Sequence, residues 1–496
     1  MPTSDGLALA TDLMRKVGVH PSAIAVFTHS YEMLVAGDTG VMAESDLKPV
    51  DSLPRLADVV YDEQAARDAL QKTAVVKLNG GLGTSMGMHR AKSLVEVHDG
   101  RSFLDVIVGQ ILVVRALFDA PMPLLFMDSF RTQQDTLAAL AEHPGFRNGG
   151  LPLDFLQNRE PKLRSDDLTP VSWPADPSLE WCPPGHGDVY TALEGSGVLE
   201  RLLDNGFHYL FMSNSDNLGA VPDPRLAAWF MESGSPIGAE YCRRTSADRK
   251  GGHLARRRSD GRFVLRESAQ TAPEDLAAFA DMDRHRFFNC NNLWLDLRAL
   301  LATLRANGGV LGLPIIPNVK TVDPSDPASP EVIQIETAMG SAIGVFDGAS
   351  AIEVDRTRFL PVKSTSDLLV LRSDAYLLTD RSELKVAPAR SGAPLVELDD
   401  AYKLLADFDA RFPSGPPSLV DAEKLTVHGD WTFGTGVRVV GVADVPAAGS
   451  PGRIPDGTIL GSNGWSPAEA GAQSDKEQVP DTDQPPGTGQ LVESNG

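Results

Sequence analysis

Apolar positions recur at helical spacing through residues 7–36, at Leu7, Leu9, Leu13 and Val17 and then at Ile24, Val26, Phe27, Tyr31 and Leu34. Pro21 stands where a second helix would begin, a first-turn position that tolerates its missing N–H. From residue 73 to about 372 the pattern changes, and short apolar runs at 74–78, 123–127, 208–212 and 237–241 alternate with longer helical stretches. Runs of that length read as strands. Their alternation with helices predicts an α/β domain with a mixed, mostly parallel central sheet.

Proline-rich connections at 169–187 and 321–330 interrupt the alternation, and long connections inside such a domain are often binding loops. Beyond residue 426 the segments shorten and glycine recurs every few residues, as in a small β-solenoid. After Trp465 the chain is rich in Pro, Gly, Ser, Gln, Asp and Glu with almost nothing to bury, which predicts a disordered acidic tail. The expected division is a helical segment over 1–60, the α/β domain over 61–375, a linker and β domain over 376–464, and the tail over 465–496.

The run Val75-Val-Lys-Leu78 gives way to Asn79-Gly-Gly-Leu-Gly-Thr-Ser-Met-Gly87, four glycines within eight residues, with Lys92-Ser-Leu94 just beyond. Peptide N–H groups freed of Cβ bulk can point at anionic oxygens, and Lys92 supplies a cation nearby. A Walker A loop is excluded because Ala91 precedes Lys92 and Met86 occupies the earlier glycine position. The dinucleotide fingerprint begins at Gly81 and Gly83 and fails at Met86. An ordinary tight turn is the competing reading.

Composition narrows the partners. A net charge of −22 over 496 residues argues against nucleic acid or an anionic membrane as a partner. Anionic ligands would then need a locally basic pocket, for which Lys92, Lys250, Lys363 and Arg159 are candidates. Three widely spaced cysteines, Cys182, Cys242 and Cys290, disfavour a disulfide framework or a structural zinc site. With no signal peptide and no apolar run of about 18 residues, the chain is expected to be soluble and cytoplasmic.

Asp216 follows the apolar run Tyr209-Leu-Phe-Met212, at the carboxyl end of a predicted strand, where open α/β sheets bind ligands. A carboxylate there can hold magnesium, which asks for one or two protein carboxylates plus phosphate oxygens and water; a helix cap is the alternative. Asn291 and Asn292 could hydrogen-bond sugar hydroxyls, and Gly251 and Gly252 allow close backbone approach. Glu336 could accept from a hydroxyl or simply face solvent. Gln157 offers the donor and acceptor that a pyrimidine edge demands.

The loop Lys77-Leu-Asn-Gly-Gly-Leu-Gly-Thr-Ser-Met-Gly87 with Ala91-Lys-Ser-Leu94 closely resembles the signature of the eukaryotic-type UTP-glucose-1-phosphate uridylyltransferases, or UDP-glucose pyrophosphorylases. The resemblance continues in order through Pro183-Pro-Gly-His-Gly-Asp188, Ser213-Asn-Ser-Asp-Asn-Leu-Gly-Ala220, Lys250-Gly-Gly252, Asn291-Asn-Leu-Trp294, Gln334-Ile-Glu-Thr-Ala-Met-Gly340 and Arg358-Phe-Leu-Pro-Val-Lys363. It covers roughly residues 60 to 440.

That resemblance implies a Rossmann-like, GT-A-like nucleotidyltransferase domain over 61–375 and a left-handed β-helix near the C-terminus, through which a homo-oligomer can form. It implies a transferase of carbohydrate metabolism that makes UDP-glucose and pyrophosphate from UTP and glucose 1-phosphate with Mg2+. By the resemblance, Leu78, Asn79, Gly80, Gly81, Lys92, Gln157, Gly185, Asp216 and Lys363 contact the nucleotide. His186, Asn214, Ser215, Asp216, Gly252, Asn291 and Glu336 contact the sugar phosphate. Lys92 and Lys363 serve catalysis, and Asp216 holds the metal. Leu156 and Glu160 depart from the family pattern beside Gln157. Relatives using N-acetylhexosamine 1-phosphate usually carry Arg where this chain has Ser85, which favours glucose. A uridylyltransferase for galactose or N-acetylhexosamine 1-phosphate, or a non-catalytic nucleotide-sugar sensor, are the alternatives.

Overall fold

A computed structural model describes residues 4–245, 248, 251–447 and 450–461, apart from the side chain of Ser85. Lys250, the selectivity argument at Ser85 and the tail over 465–496 lie outside this description. The strands of the ten-stranded central sheet are, in chain order, β1 (Leu47–Pro49), β2 (Thr73–Leu78), β3 (Leu124–Asp128), β4 (Asp154–Leu156), β5 (Tyr209–Asn214), β6 (Ile237–Arg243), β7 (His253–Arg257), β8 (Phe263–Arg266), β9 (Phe287–Asp296) and β10 (Ser350–Glu353). Their order is β1-β7-β9-β5-β2-β3-β4, with β6 pairing β9 and β10, and β8 pairing β7.

Strands β5, β2, β3 and β4 run parallel, as do β6 and β10. The pairs β1–β7, β5–β9, β6–β9, β7–β8 and β7–β9 are antiparallel. The sheet is therefore mixed rather than mostly parallel. Parallel neighbours need a crossover of a dozen or more residues, usually a helix. Among the described residues between β6 and β9 lie the β7–β8 hairpin, two 3-10 turns at Ser268–Gln270 and Pro273–Asp275, and the short helix Leu276–Ala280, and β9 returns antiparallel to β6.

Every residue of β2 is buried, as expected for a strand covered on both faces. Val75 joins the hydrophobic cluster on one side, whereas Ala74, Val76 and Leu78 join the cluster on the other. The same alternation divides Phe211 from Leu210 and Met212 in β5.

The N-terminal helices Ser4–Lys16 and Pro21–Val35 do start and stop near the predicted positions, with Pro21 in the first turn. Ala10 and Met14 are buried there, but Leu9 and Val17 are exposed, so the apolar stripe is narrower than the sequence suggested. These helices pack on Leu163, Ile315 and Ile335 of a separate three-stranded sheet.

At the C-terminal end, Leu395–Leu398, Ser418–Val427, Arg438–Val445 and Ile459–Gly461 pair in succession, each parallel to the last. Trp431–Phe433 and Gly452–Ile454 form a second parallel pair. Tyr402, Phe412, Leu425 and Leu460 belong to the same hydrophobic cluster as Val75 and Phe126, so burial is continuous across residue 376.

Candidate active site

The carboxyl ends of β2 and β5, adjacent and parallel, carry the two loops that matter. After β2 the glycine-rich loop folds back so that the Lys92 N–H donates to the Gly81 carbonyl at 3.1 Å. After β5 the Ser215 N–H donates to the Leu78 carbonyl at 3.1 Å, which ties the Asp216 turn to the same strand end. The Lys92 ammonium consequently meets the Asp216 carboxylate at 2.6 Å, and it also donates to the Val362 carbonyl. Lys363 follows Val362 and is exposed. Lys92 thus links Asp216, across the cleft at these strand ends, to the segment that carries Lys363.

A chain of contacts extends from this point. Asn291 Nδ2 donates to Asn214 Oδ1 at 2.9 Å, and Asn291 Oδ1 is buried without a partner. The Met339 N–H donates to His186 Nδ1 at 3.1 Å, which leaves the proton of the neutral ring on Nε2. Dense surrounding protein disfavours the imidazolium and pulls the His186 pKa down to about 4, although the residue as a whole is exposed. His186 is therefore a neutral donor near pH 7.

At the other end of the cleft Gly80 and Gln157 meet. A Cβ on Gly80 would lie 2.7 Å from Gln157 Oε1, so the amide occupies the space a side chain would take. Asp188 accepts from the Asn158 N–H at 2.6 Å and from Asn158 Nδ2 at 2.8 Å, joining the Gln157 segment to the Gly185–His186 loop. Burial raises the Asp188 pKa to about 7. Gly185 has φ +80 and a Cβ there would press on the Thr337 carbonyl at 2.6 Å, so both conformation and space require glycine.

Several expectations need correction. Asn79 is buried with its Nδ2 donating to Asp128 Oδ1 and Thr136 Oγ1, so its side chain braces the loop from inside and cannot read a nucleotide. Asn292 is likewise buried and donates to Glu240, because Asn291 takes φ +56 within β9 and breaks the simple alternation of the strand. Arg159 lies over the Trp181 ring and reaches the Val17 carbonyl, away from the lysines. Glu336 lies beside Gly185 and pairs with Lys320 at 3.5 Å.

Glu267 was missed. A Cβ on Gly252 would sit 2.6 Å from its carboxylate, and burial raises its pKa while the charge of Lys363 opposes that rise. It stands next to Gly252 because the β7–β8 hairpin pairs His253 with Arg266, and it forms a capping box with Gln270 over the turn that follows.

Among the described residues no three His, Cys, Asp or Glu side chains converge to cage a metal. Asp216, 21% exposed at the strand end, nevertheless suits magnesium, which commonly takes one protein carboxylate and draws its other oxygens from phosphates and water.

The model of the UTP--glucose-1-phosphate uridylyltransferase family matches residues 25–439. The chain belongs to that family. The uridylyltransferase of Solanum tuberosum is 40% identical over 411 residues, covering 82% of this chain and 83% of the relative. That of Saccharomyces cerevisiae is 41% identical over 394 residues, covering 79% and 77%. Among solved structures, a UDP-glucose pyrophosphorylase from Leishmania major superposes with a TM-score of 0.87 at 42% identity, covering 93% of this chain and 99% of the relative. The family match thus spans the cleft and the C-terminal strands as far as the start of Arg438–Val445.

Proposed function

We propose that this chain transfers the uridylyl group of UTP to α-D-glucose 1-phosphate, giving UDP-glucose and pyrophosphate. The observation that carries the reading is the 2.6 Å approach of Lys92 to Asp216 beside the Val362–Lys363 segment, in a cleft floored by the glycine-rich loop. Family membership supports it, as relatives so named extend over most of the chain.

A phosphate oxygen of glucose 1-phosphate attacks the α-phosphorus of UTP in line, and the bond from that phosphorus to the β-phosphate oxygen breaks. The sugar phosphate is already anionic at neutral pH, so no protein base or nucleophile is required. Alignment and charge compensation are what the chain contributes. Lys92 exchanges Asp216 for triphosphate oxygens, Lys363 adds a second cation from the neighbouring segment, and Gly80 with Gln157 and Gly185 selects the pyrimidine. Asn214, Asn291, Glu267 and the Nε2–H of His186 hold the sugar phosphate. Mg2+, held by Asp216, would supply further compensation of phosphate charge.

The same reading takes the α/β domain as catalytic. The C-terminal strands are then a small left-handed β-helix able to mediate self-association, with their unbroken parallel pairing in support. Three buried free thiols suit a reducing cytoplasm. The test is pyrophosphate release by the purified chain with UTP, Mg2+ and a panel of sugar 1-phosphates. Glucose 1-phosphate should be turned over fastest; no product from any sugar phosphate would make the protein a sensor.

A further inference from the structure

Below the segments that carry Asp216, Asn291 and Lys363 lies a buried charged pair. Glu240 is fully buried in β6 and accepts from Arg358 Nε at 2.6 Å and Nη2 at 2.9 Å. Its carboxylate also accepts from Asn292 Nδ2 and Trp294 Nε1, both at 3.1 Å. Arg358 completes its fork on the Val221 carbonyl at 3.0 Å. The Arg358 carbonyl accepts from Asn217 Nδ2 at 3.1 Å, while Asn217 Oδ1 receives the Leu360 N–H at 2.9 Å.

Each partner adjoins a residue of the cleft. Asn217 follows Asp216, Asn292 follows Asn291, and Arg358 opens the segment that ends at Val362 and Lys363. One carboxylate and one guanidinium, 118 residues apart, fasten the three segments together. Stability alone is a weak reason for this arrangement, since hydrophobic replacements of buried ion pairs are often as stable. Its geometry supplies another reason: a rigid bidentate fork fixes direction as well as distance.

We infer that Glu240 and Arg358 are a positioning pair that sets Lys363 relative to Asp216 for uridylyl transfer. The inference rests on the function proposed above. Neither residue touches substrate, so the pair acts through Lys363 and should matter more to turnover than to binding.

The test compares Glu240→Gln and Arg358→Lys, each alone and combined with Lys363→Ala, by steady-state kinetics and thermal melting. Each single variant should lose about 10²-fold in kcat while KM for UTP and glucose 1-phosphate changes less than about 3-fold. In the Lys363→Ala background the further loss should be under about 3-fold, because residues acting as a unit are not additive. Equal losses in both backgrounds, or a rise in KM at constant kcat, would overturn the inference. Should Glu240→Gln not fold, Arg358→Lys decides on the same criterion. Normal turnover by Lys363→Ala would likewise overturn the inference while leaving the proposed function standing, whereas a wild-type chain without pyrophosphate release would sink the proposed function, and this inference with it.

Discussion

The Lys92 ammonium and the Asp216 carboxylate lie 2.6 Å apart although 124 residues separate them in the chain. They meet because β2 and β5 are parallel neighbours whose carboxyl ends open on the same side, the position where open α/β sheets place their ligands. The pair is partly open, with side chains 17% and 21% exposed, so each group can exchange the other for substrate.

Lys92→Ala should therefore act on chemistry rather than on folding. Loss of one preorganised cation at a developing charge costs about 10²- to 10³-fold in kcat. A partly exposed ion pair contributes at most about 1 kcal/mol to stability, so the melting temperature should barely move. Pyrophosphate release and a thermal melt on the same preparation check both halves; near-normal turnover with an unchanged melt contradicts the assignment.

Gly80→Ala tests the base pocket. The added methyl would meet the far end of a flexible side chain, Gln157 Oε1 at 2.7 Å, so it should displace the amide without unfolding the loop. We expect KM for UTP to rise about 10-fold, the loss of roughly one hydrogen bond, with weaker preference over CTP. An unchanged ratio of kcat/KM between the two nucleotides would remove Gln157 from base selection.

Asn291 and Asn292 are adjacent in sequence and should behave differently. Asn291→Gly keeps the positive φ of that position and removes only the side chain, so it should raise KM for glucose 1-phosphate with little change in melting. Asn292→Ala withdraws a donor from buried Glu240 and should cost about 1–3 kcal/mol of stability by urea unfolding. Exchanged phenotypes would mean that the two side chains face the other way.

Lys77 gives a pH prediction with a definite sign. Burial, and then repulsion from Arg358, lower its pKa from 10.5 to about 7 despite attraction from Glu240 and Asp216. Between about pH 7 and 10.5 the unfolded chain holds a proton that the folded chain has released. Stability conferred through this residue must therefore rise with pH across that window, and the penalty is complete below it. Lys77→Met, which also leaves Ser213 Oγ and the Ala220 carbonyl without their donor, should not show that rise. Wild type should gain on the variant in urea midpoint from pH 7 to 9.5; a constant difference refutes the lowered pKa.

The sites legible from sequence are those whose chemistry is local. Strand β2 and its glycine loop could be read because an apolar run and backbone without Cβ have consequences within a few residues. Asp216 could be placed because a carboxylate after an apolar run falls at a strand end. Glu240 left a fainter signal, a single charge inside the apolar run 237–242, which can be buried only if paired.

What tertiary structure alone decided is pairing across the chain and the direction of side chains. The left-handed turn at Asn291 sends two neighbouring asparagines to different surroundings, and no period-two rule anticipates it. Glu267 reaches Gly252 through the register of the β7–β8 hairpin, which pairs His253 with Arg266. Strand β9 enters the sheet antiparallel to both β5 and β6, a pairing that only the folded sheet fixes. The sequence by itself determined which residues could carry charge, bend the backbone or fill a core, since those properties belong to single side chains. Which charge meets which is a property of distance in three dimensions, and only the packed sheet brings Lys92 to Asp216 and to the Val362 carbonyl beside Lys363.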